Sequence, residues 1–326
     1  VSRARRVASL AVGALASAAY LAVVARGLSL DALRAAAAAI DPGPLALHVA
    51  GFALVMRARA ERLAASLGPL RPTRWIEVLP SQMAGYLANL VLPMQAGELA
   101  RVAVASRGLG VPAGAVVSAI AVERVVDLLI ALAGFAAATA VLPGTAAPLR
   151  QAALALGAAV AAGAAVLAWS AARPDALRST VDAVARRLPD GVAAGLRAQA
   201  GACIDGLATL RSPRFLARYA GWCALQWAGW VASVATTLWA AGLVAGPAAT
   251  VLASALSTLA LVLPAAPGYV GTFQLAYQAA LGPLGLEPAA LFVAATLLQV
   301  LTLGLALLAA GIVAFAPRVH GRPRRA

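Results

Sequence analysis

Asn89-Leu90-Val91-Leu92-Pro93-Met94-Gln95-Ala96-Gly97-Glu98-Leu99-Ala100-Arg101 decides how the chain is read. An apolar run stops at Pro93, and an acid and a base follow three residues apart. Proline lacks an N–H and crowds the preceding turn, so a helix is interrupted there. The pattern has a second copy. Leu261-Val262-Leu263-Pro264-Ala265-Ala266-Pro267-Gly268 repeats Leu-Val-Leu-Pro-x-x-x-Gly, and 171 residues separate both Pro93 from Pro264 and Gly97 from Gly268. Matched interruptions in two apolar segments are the pattern of transporters built from paired broken helices.

Working outward, 62% of the 326 residues are hydrophobic and 12% charged, with a mean hydropathy of +0.87. That leaves too little polar surface for a soluble globule, and apolar runs of spanning length recur throughout. The expected class is an all-α integral membrane protein of about six full spans plus two broken re-entrant hairpins. The formal charge of +14 comes from arginines at the ends of apolar runs. Positive-inside bias and anionic lipid account for that placement, so a nucleic-acid role is rejected. Cys203 and Cys223 are isolated, as are His48 and His320. Neither a disulfide framework nor a metal site follows, and no cofactor is expected.

In chain order, Arg3, Arg5 and Arg6 precede an apolar run from Val7 to Val24, read as a retained first helix rather than a signal peptide. Arg26 to Asp41 is expected outside. A second span runs from Pro44 to about Arg57, and Arg57, Arg59, Arg62, Arg71 and Arg74 mark a basic cytoplasmic loop. Trp75 to Leu92, interrupted by Pro80, Gly85 and Pro93, reads as a hairpin entering from the cytoplasm. Pro112 opens a helix to Leu142, and another span covers Gln151 to about Ala172. From Arg173 to Arg214 the chain turns polar, predicting short amphipathic helices on the inner surface. Tyr219 to Leu243 is a span carrying four tryptophans, read as interfacial or packing residues before a sugar-stacking site. Thr250 to Leu263 enters, Thr272 to Leu281 returns, and Pro288 to Phe315 forms the last span. Of 26 arginines this path places Arg26, Arg34 and Arg150 outside and assigns Arg101, Arg107 and Arg124 to the motif region. The remaining 20 lie inside, with both termini.

Each half therefore reads as span, span, broken hairpin, span, in opposite senses. Residues 1–145 form one repeat and residues 146–326 the other, with the 173–214 insertion. Hairpin tips meeting near the midplane offer backbone polar groups that lipid lacks. Gly97, Gly268 and Gly271 would let a headgroup approach the backbone, and the helix starting near Gly97 presents N–H groups to an anion. Within the apolar run after Pro112 stand Glu123, Arg124 and Asp127. Helical spacing pairs Glu98 with Arg101 and Arg124 with Asp127. Charge in hydrocarbon is costly, which favours a role for Arg101 and Arg124 in holding a lipid phosphate over a set of purely structural ion pairs. An acid in the first turn of a helix is favoured by the dipole in any protein, so Glu98 alone carries less weight.

Leu92 to Arg101, Glu123 to Asp127, and Pro264 to Phe273 together resemble the flippase-like family of lysylphosphatidylglycerol synthase membrane regions, across nearly the whole chain. The Pro-Gly-Tyr-Val-Gly-Thr-Phe run is similar to a hopanoid-biosynthesis-associated branch. The resemblance implies lipid movement between leaflets, in some members of an aminoacylated phospholipid, in the cytoplasmic membrane of a bacterium. No aminoacyltransferase domain is expected after Ala326, so lipid synthesis is not implied. Gln274 stands where relatives often carry Glu, which argues against proton coupling through the second hairpin. The expected function is a lipid flippase or scramblase, not an enzyme, for an anionic or polyprenyl-linked lipid. Its substrate site comprises Asn89, Gln95, Gly97, Glu98, Arg101, Glu123, Arg124, Asp127, Pro267, Gly268, Tyr269, Gly271 and Gln274. The alternatives are a lipid-carrier glycosyltransferase with Glu123 or Asp127 as base, and a non-transporting partner of lipid-biosynthetic enzymes.

Overall fold

A computed structural model describes residues 3–26, 28–91, 97–142, 147–263 and 267–315, and among them there are helices and turns but no strand. The first set is α1 (Arg3–Ala25), α2 (Leu30–Ala38), α3 (Leu45–Leu67), α4 (Trp75–Val91), α5 (Gly97–Leu109) and α6 (Ala113–Val141). The second is α7 (Ala147–Ala172), α8 (Pro174–Ala185), α9 (Asp190–Leu207), α10 (Pro213–Ala240), α11 (Pro247–Ala260), α12 (Thr272–Leu281) and α13 (Pro288–Phe315).

Local chemistry sets these boundaries. Ser29 and Ser212 accept from the third backbone N–H beyond them and so cap α2 and α10. Glu287 accepts from the N–H groups of Ala289 and Ala290 at the start of α13. Gly242, at φ 71°, ends α10 while the Leu243 N–H bonds the Leu238 carbonyl, a left-handed termination that suits glycine. Pro80 does not break α4. Pro93 and Pro264 lie outside the described residues.

α3 and α10 form the central pair and run antiparallel. The Asp41 N–H meets the Ala240 carbonyl at 2.9 Å, Gly51 crosses Gly229, and Glu61 meets Arg218 at 3.1 Å, so numbers rise along one helix as they fall along the other. Several further contacts recur between the first set of helices and the second. α3 touches α4 and α6 as α10 touches α11 and α13. α5 lies on α6 as α12 lies on α13, and the halves cross twice, α6 on α11 and α13 on α4. α8 and α9 pack on each other, with α9 laid along α6; Gln199 accepts from the Gly114 N–H at 2.8 Å. The amphipathic insertion thus braces the start of α6.

Polarity is distributed inside out. Along α10, Gln226, Ser233, Thr236 and Thr237 are buried while Leu225 and Trp239 are exposed. On α13, Val300, Leu308 and Ile312 face outward at 60% exposure or more, whereas Gln299 is buried. Water would favour the reverse; an apolar solvent favours this arrangement. By length and composition, α13 alone among the described helices is sufficient for a span, with a mean hydropathy of 2.3. Ala14–Ala25 and Leu30–Ala38, bent by 87°, form a second candidate as a broken pair. Several other long helices carry the charged and polar side chains of the interior.

One expectation is overturned here. The second helix does not stop at Arg57 but continues to Leu67, so Arg59 and Arg62 are not part of a cytoplasmic loop. Arg62 is 1% exposed, packed among helices rather than free in a basic loop. The sequence from Phe52 to Leu67 contains no glycine or proline to end the helix.

The α3–α10 crossing depends on two glycines. A Cβ on Gly229 would stand 2.9 Å from the Gly51 carbonyl and 3.1 Å from Val55, whereas one on Gly221 would meet nothing within 4 Å. Gly229→Val is expected to cost about 1–3 kcal/mol of stability by separating the helices. Gly221→Ala on the same helix should be neutral or slightly stabilising. Thermal unfolding of the purified variants checks both, and an unchanged Gly229→Val transition would refute the close crossing.

Candidate functional site

Where α3, α5, α6 and α10 converge, four arginines meet three carboxylates. Arg62 on α3 donates from Nη1 to Asp127 Oδ1 at 2.6 Å and to Gln226 Oε1 at 2.7 Å. From Nη2 it donates to Tyr219 Oη at 3.1 Å and the Glu123 carbonyl at 3.2 Å. Arg101 on α5 meets Glu123 on α6 at 2.7 Å, with Glu98 further off at 3.5 Å. Arg124 on α6 bonds Glu98. Arg59, one turn before Arg62, lies over the Tyr86 ring at 5.9 Å, and among the described residues no carboxylate comes within 4 Å of it.

The pairing differs from what spacing along single helices predicts. Arg124 does not pair with Asp127 three residues on; its partner is Glu98, and Asp127 is taken by Arg62. Side chains three apart share a helix face, but here that face is packed against α3 and α5, whose ionic groups come closer. Glu98 and Arg101 do meet, yet the short bond of Arg101 runs to Glu123.

Against this network lies a cavity of about 160 Å³. The first half lines it with Arg59, Gln82, Asn89, Glu98, Arg124 and Asp127, among others. The second half contributes Trp227, Trp230, Tyr269, Phe273, Gln299 and Thr302. Trp227 and Trp230 thus belong to the cavity, while Trp239 faces outward.

Other expected site residues have different roles. The Gly97 N–H is taken by Asn89 Oδ1 at 2.8 Å, so it is not free for an anion. A Cβ on Gly97 would overlap the Gly85 carbonyl and come within 2.5 Å of Asn89 Oδ1, so this glycine lets α5 lie on α4. Gly268 and Gly271, with φ of 75° and 84°, form a left-handed turn before α12. Gln274 is buried in that turn; its Oε1 accepts from the Gly271 N–H, and its Nε2 donates to Thr296 and Gln299. Gln299 in turn donates to the Gly268 carbonyl. These three residues build the turn rather than face a ligand. Tyr269, also left-handed at φ 59°, does line the cavity; a non-glycine residue held in that region is strained and is often found at functional sites. Gln95 lies outside the described residues, as do the hairpin tips expected to meet near the midplane and the side chain of Pro267.

The starts of α5 and α12, and those of α6 and α13, are each 175 residues apart, not 171. At that spacing Gln299 follows Arg124 and Thr302 follows Asp127, and all four line the cavity.

With this geometry established, residues 7–323 match the lysylphosphatidylglycerol synthase TM region. The chain belongs to that family. No curated protein and no solved structure matches it. Family membership and the inside-out polarity together make this a helical membrane domain of a family associated with lipid functions.

Arg62→Gln removes the cation from Asp127 and leaves a buried carboxylate unpaired, with an expected loss of about 3–5 kcal/mol. Adding Asp127→Asn should recover much of that loss. For Arg124 the coupled partner is Glu98, so a double-mutant cycle on thermal stability should give a coupling for Arg124→Gln with Glu98→Gln and little with Asp127→Asn. The opposite pattern would refute the assigned pairs.

Proposed function

We propose that this protein is a lipid flippase or scramblase that moves an anionic or polyprenyl-linked lipid between leaflets, with the headgroup in the cavity and the chains in the bilayer. Residues 1–145 and 146–326 act as inverted repeats, of about six spans and two re-entrant hairpins. The antiparallel α3–α10 pair and the contacts that recur between the two sets of helices support this reading. Both termini and the insertion at 173–214 lie in the cytoplasm, in the cytoplasmic membrane of a bacterium. Biosynthetic enzymes that deliver or consume the lipid are the natural partners.

The observation that carries the reading is Arg59. Four arginines face three carboxylates, so the network holds one surplus positive charge, and the arginine without a carboxylate lines the cavity. An unneutralised cation inside a membrane protein is costly and marks a path for charge; a lipid phosphate supplies the counter-charge as it passes. A cavity shared by two halves serves transfer between sides better than it serves a fixed structural lipid.

Reconstitution of the purified protein into liposomes, followed by fluorescent phosphatidylglycerol accessibility, tests this. Wild-type protein should move the lipid, and Arg59→Gln should slow it about tenfold or more, the value of one charge-assisted hydrogen bond. Formation of a modified lipid instead of movement would support an enzyme, and neither would support a lipid-holding partner. Orientation has its own measurement. Ser179, exposed on α8, should resist an impermeant thiol reagent as Ser179→Cys in intact cells and react once the cells are opened.

A further inference from the structure

The hydrogen-bonding capacity of the cavity is one-sided. On the residues that line it, six buried polar atoms lack partners among the described residues: Arg59 Nε, Gln82 Nε2, Arg101 Nε and Nη2, Arg124 Nε and Trp227 Nε1. All six are donors. Of the carboxylates alongside, Glu98 bonds Arg124 and Arg101 through its two oxygens, and Asp127 Oδ1 accepts from Arg62 and Gln226. Glu123 keeps one buried oxygen, Oε1, without a partner among the described residues, but Glu123 does not line the cavity. Asn89 Oδ1 is engaged by the Gly97 N–H. Buried donors without acceptors are uncommon in native proteins, and six around one cavity call for a common explanation.

From this we infer that the cavity selects a headgroup whose phosphate oxygens accept its hydrogen bonds and whose net charge is negative, a phosphate ester without an ammonium group. The inference rests on the transport reading above and narrows its substrate. A phosphate oxygen accepts from guanidinium, amide and indole N–H groups alike, and its charge balances the surplus of Arg59. An ammonium is the reverse: a cation with donors only. In this cavity it would meet Arg59 as a like charge and would have to displace Arg124 or Arg101 from Glu98 to gain a carboxylate. Ethanolamine and aminoacyl headgroups are therefore disfavoured, including the lysyl ester in the family's name. Gln82 distinguishes the cases most sharply. It is 2% exposed, and its amide nitrogen has no partner among the described residues. Changing it to glutamate keeps the shape, replaces the donor with an acceptor, and cancels the surplus charge.

The test titrates the full chain in detergent micelles with dioctanoyl phosphatidylglycerol, dioctanoyl phosphatidylethanolamine and the lysyl ester of dioctanoyl phosphatidylglycerol. Tryptophan fluorescence reads binding, because Trp227 and Trp230 line the cavity. Phosphatidylglycerol should bind at least about tenfold more tightly than either ammonium lipid, and Gln82→Glu should erase that margin. Equal or tighter binding of an ammonium lipid to the wild type overturns the inference while leaving a lipid transporter in place. So does an unchanged margin in Gln82→Glu protein that melts at the wild-type temperature. If the variant does not fold, the wild-type panel alone decides. The predicted preference without movement in liposomes upholds this inference and overturns transport, and failure of all three lipids to bind overturns both.

Discussion

Everything near the cavity depends on one buried ion pair, Arg62 with Asp127. The guanidinium joins three helices: it sits on α3, bonds a carboxylate and a carbonyl on α6, and bonds a tyrosine and a glutamine on α10. Burial of two charges is repaid only when geometry is good and most remaining donors are met. Both terminal nitrogens of Arg62 are met twice, and its Nε alone has no partner among the described residues. In an apolar surrounding, hydrophobic contact gives little net attraction between helices, so close packing and polar bonds carry association. The Gly51–Gly229 crossing supplies the first on the α3–α10 pair, and Arg62 supplies the second.

The two halves share packing but not chemistry. The first half contributes all seven charged groups of the network; the second half lines the cavity with neutral Gln299 and Thr302 and a set of aromatic rings. Its own polar residues are spent on the backbone: Gln274 and Gln299 hold the left-handed turn at Gly268 and Gly271. That turn needs such support because it places three left-handed residues within four positions, Gly268, Tyr269 and Gly271, before a helix with no charged cap. The first hairpin achieves closure more simply, with Asn89 bonding Gly97 across the break.

Much of the fold was legible because it follows local rules. α12 and α13 begin and end where glycine and proline punctuation places them, and the Thr272–Leu281 and Pro288–Phe315 bounds agree with the sequence reading. The charged members Glu98, Arg101, Glu123, Arg124 and Asp127 were also legible, since each interrupts an apolar run. Their pairing was not, because spacing reports which residues share a helix face but not which helix that face meets. Arg59 and Arg62 were hidden for a related reason. Basic residues after an apolar run are normally a cytoplasmic flank, and only the absence of a helix breaker up to Leu67 distinguished this run from a loop. The neutral members Gln82, Tyr86, Gln226 and Trp227 carry no sequence signal beyond lying on apolar helices. The two proline motifs stand 171 residues apart, but the helices that follow them start 175 apart, a difference of four residues that a motif match does not register.

The ion pairs also differ in what it costs to open them. Arg62 with Asp127 and Arg101 with Glu123 are almost wholly buried, at 9% side-chain exposure or less for every member. Separating either leaves a charge in a low-dielectric surrounding. Arg124 and Glu98 are 31% and 23% exposed, and the Arg101–Glu98 contact is stretched to 3.5 Å. Partial access to the cavity lowers the cost of parting these groups, because solvent or a ligand oxygen replaces the lost partner. The rigid pairs thus anchor α3, α5, α6 and α10, while the exchangeable one lies on the cavity wall beside the uncompensated Arg59. An anion in the cavity acts on Glu98 and Arg124 before it acts on anything that holds the helices together.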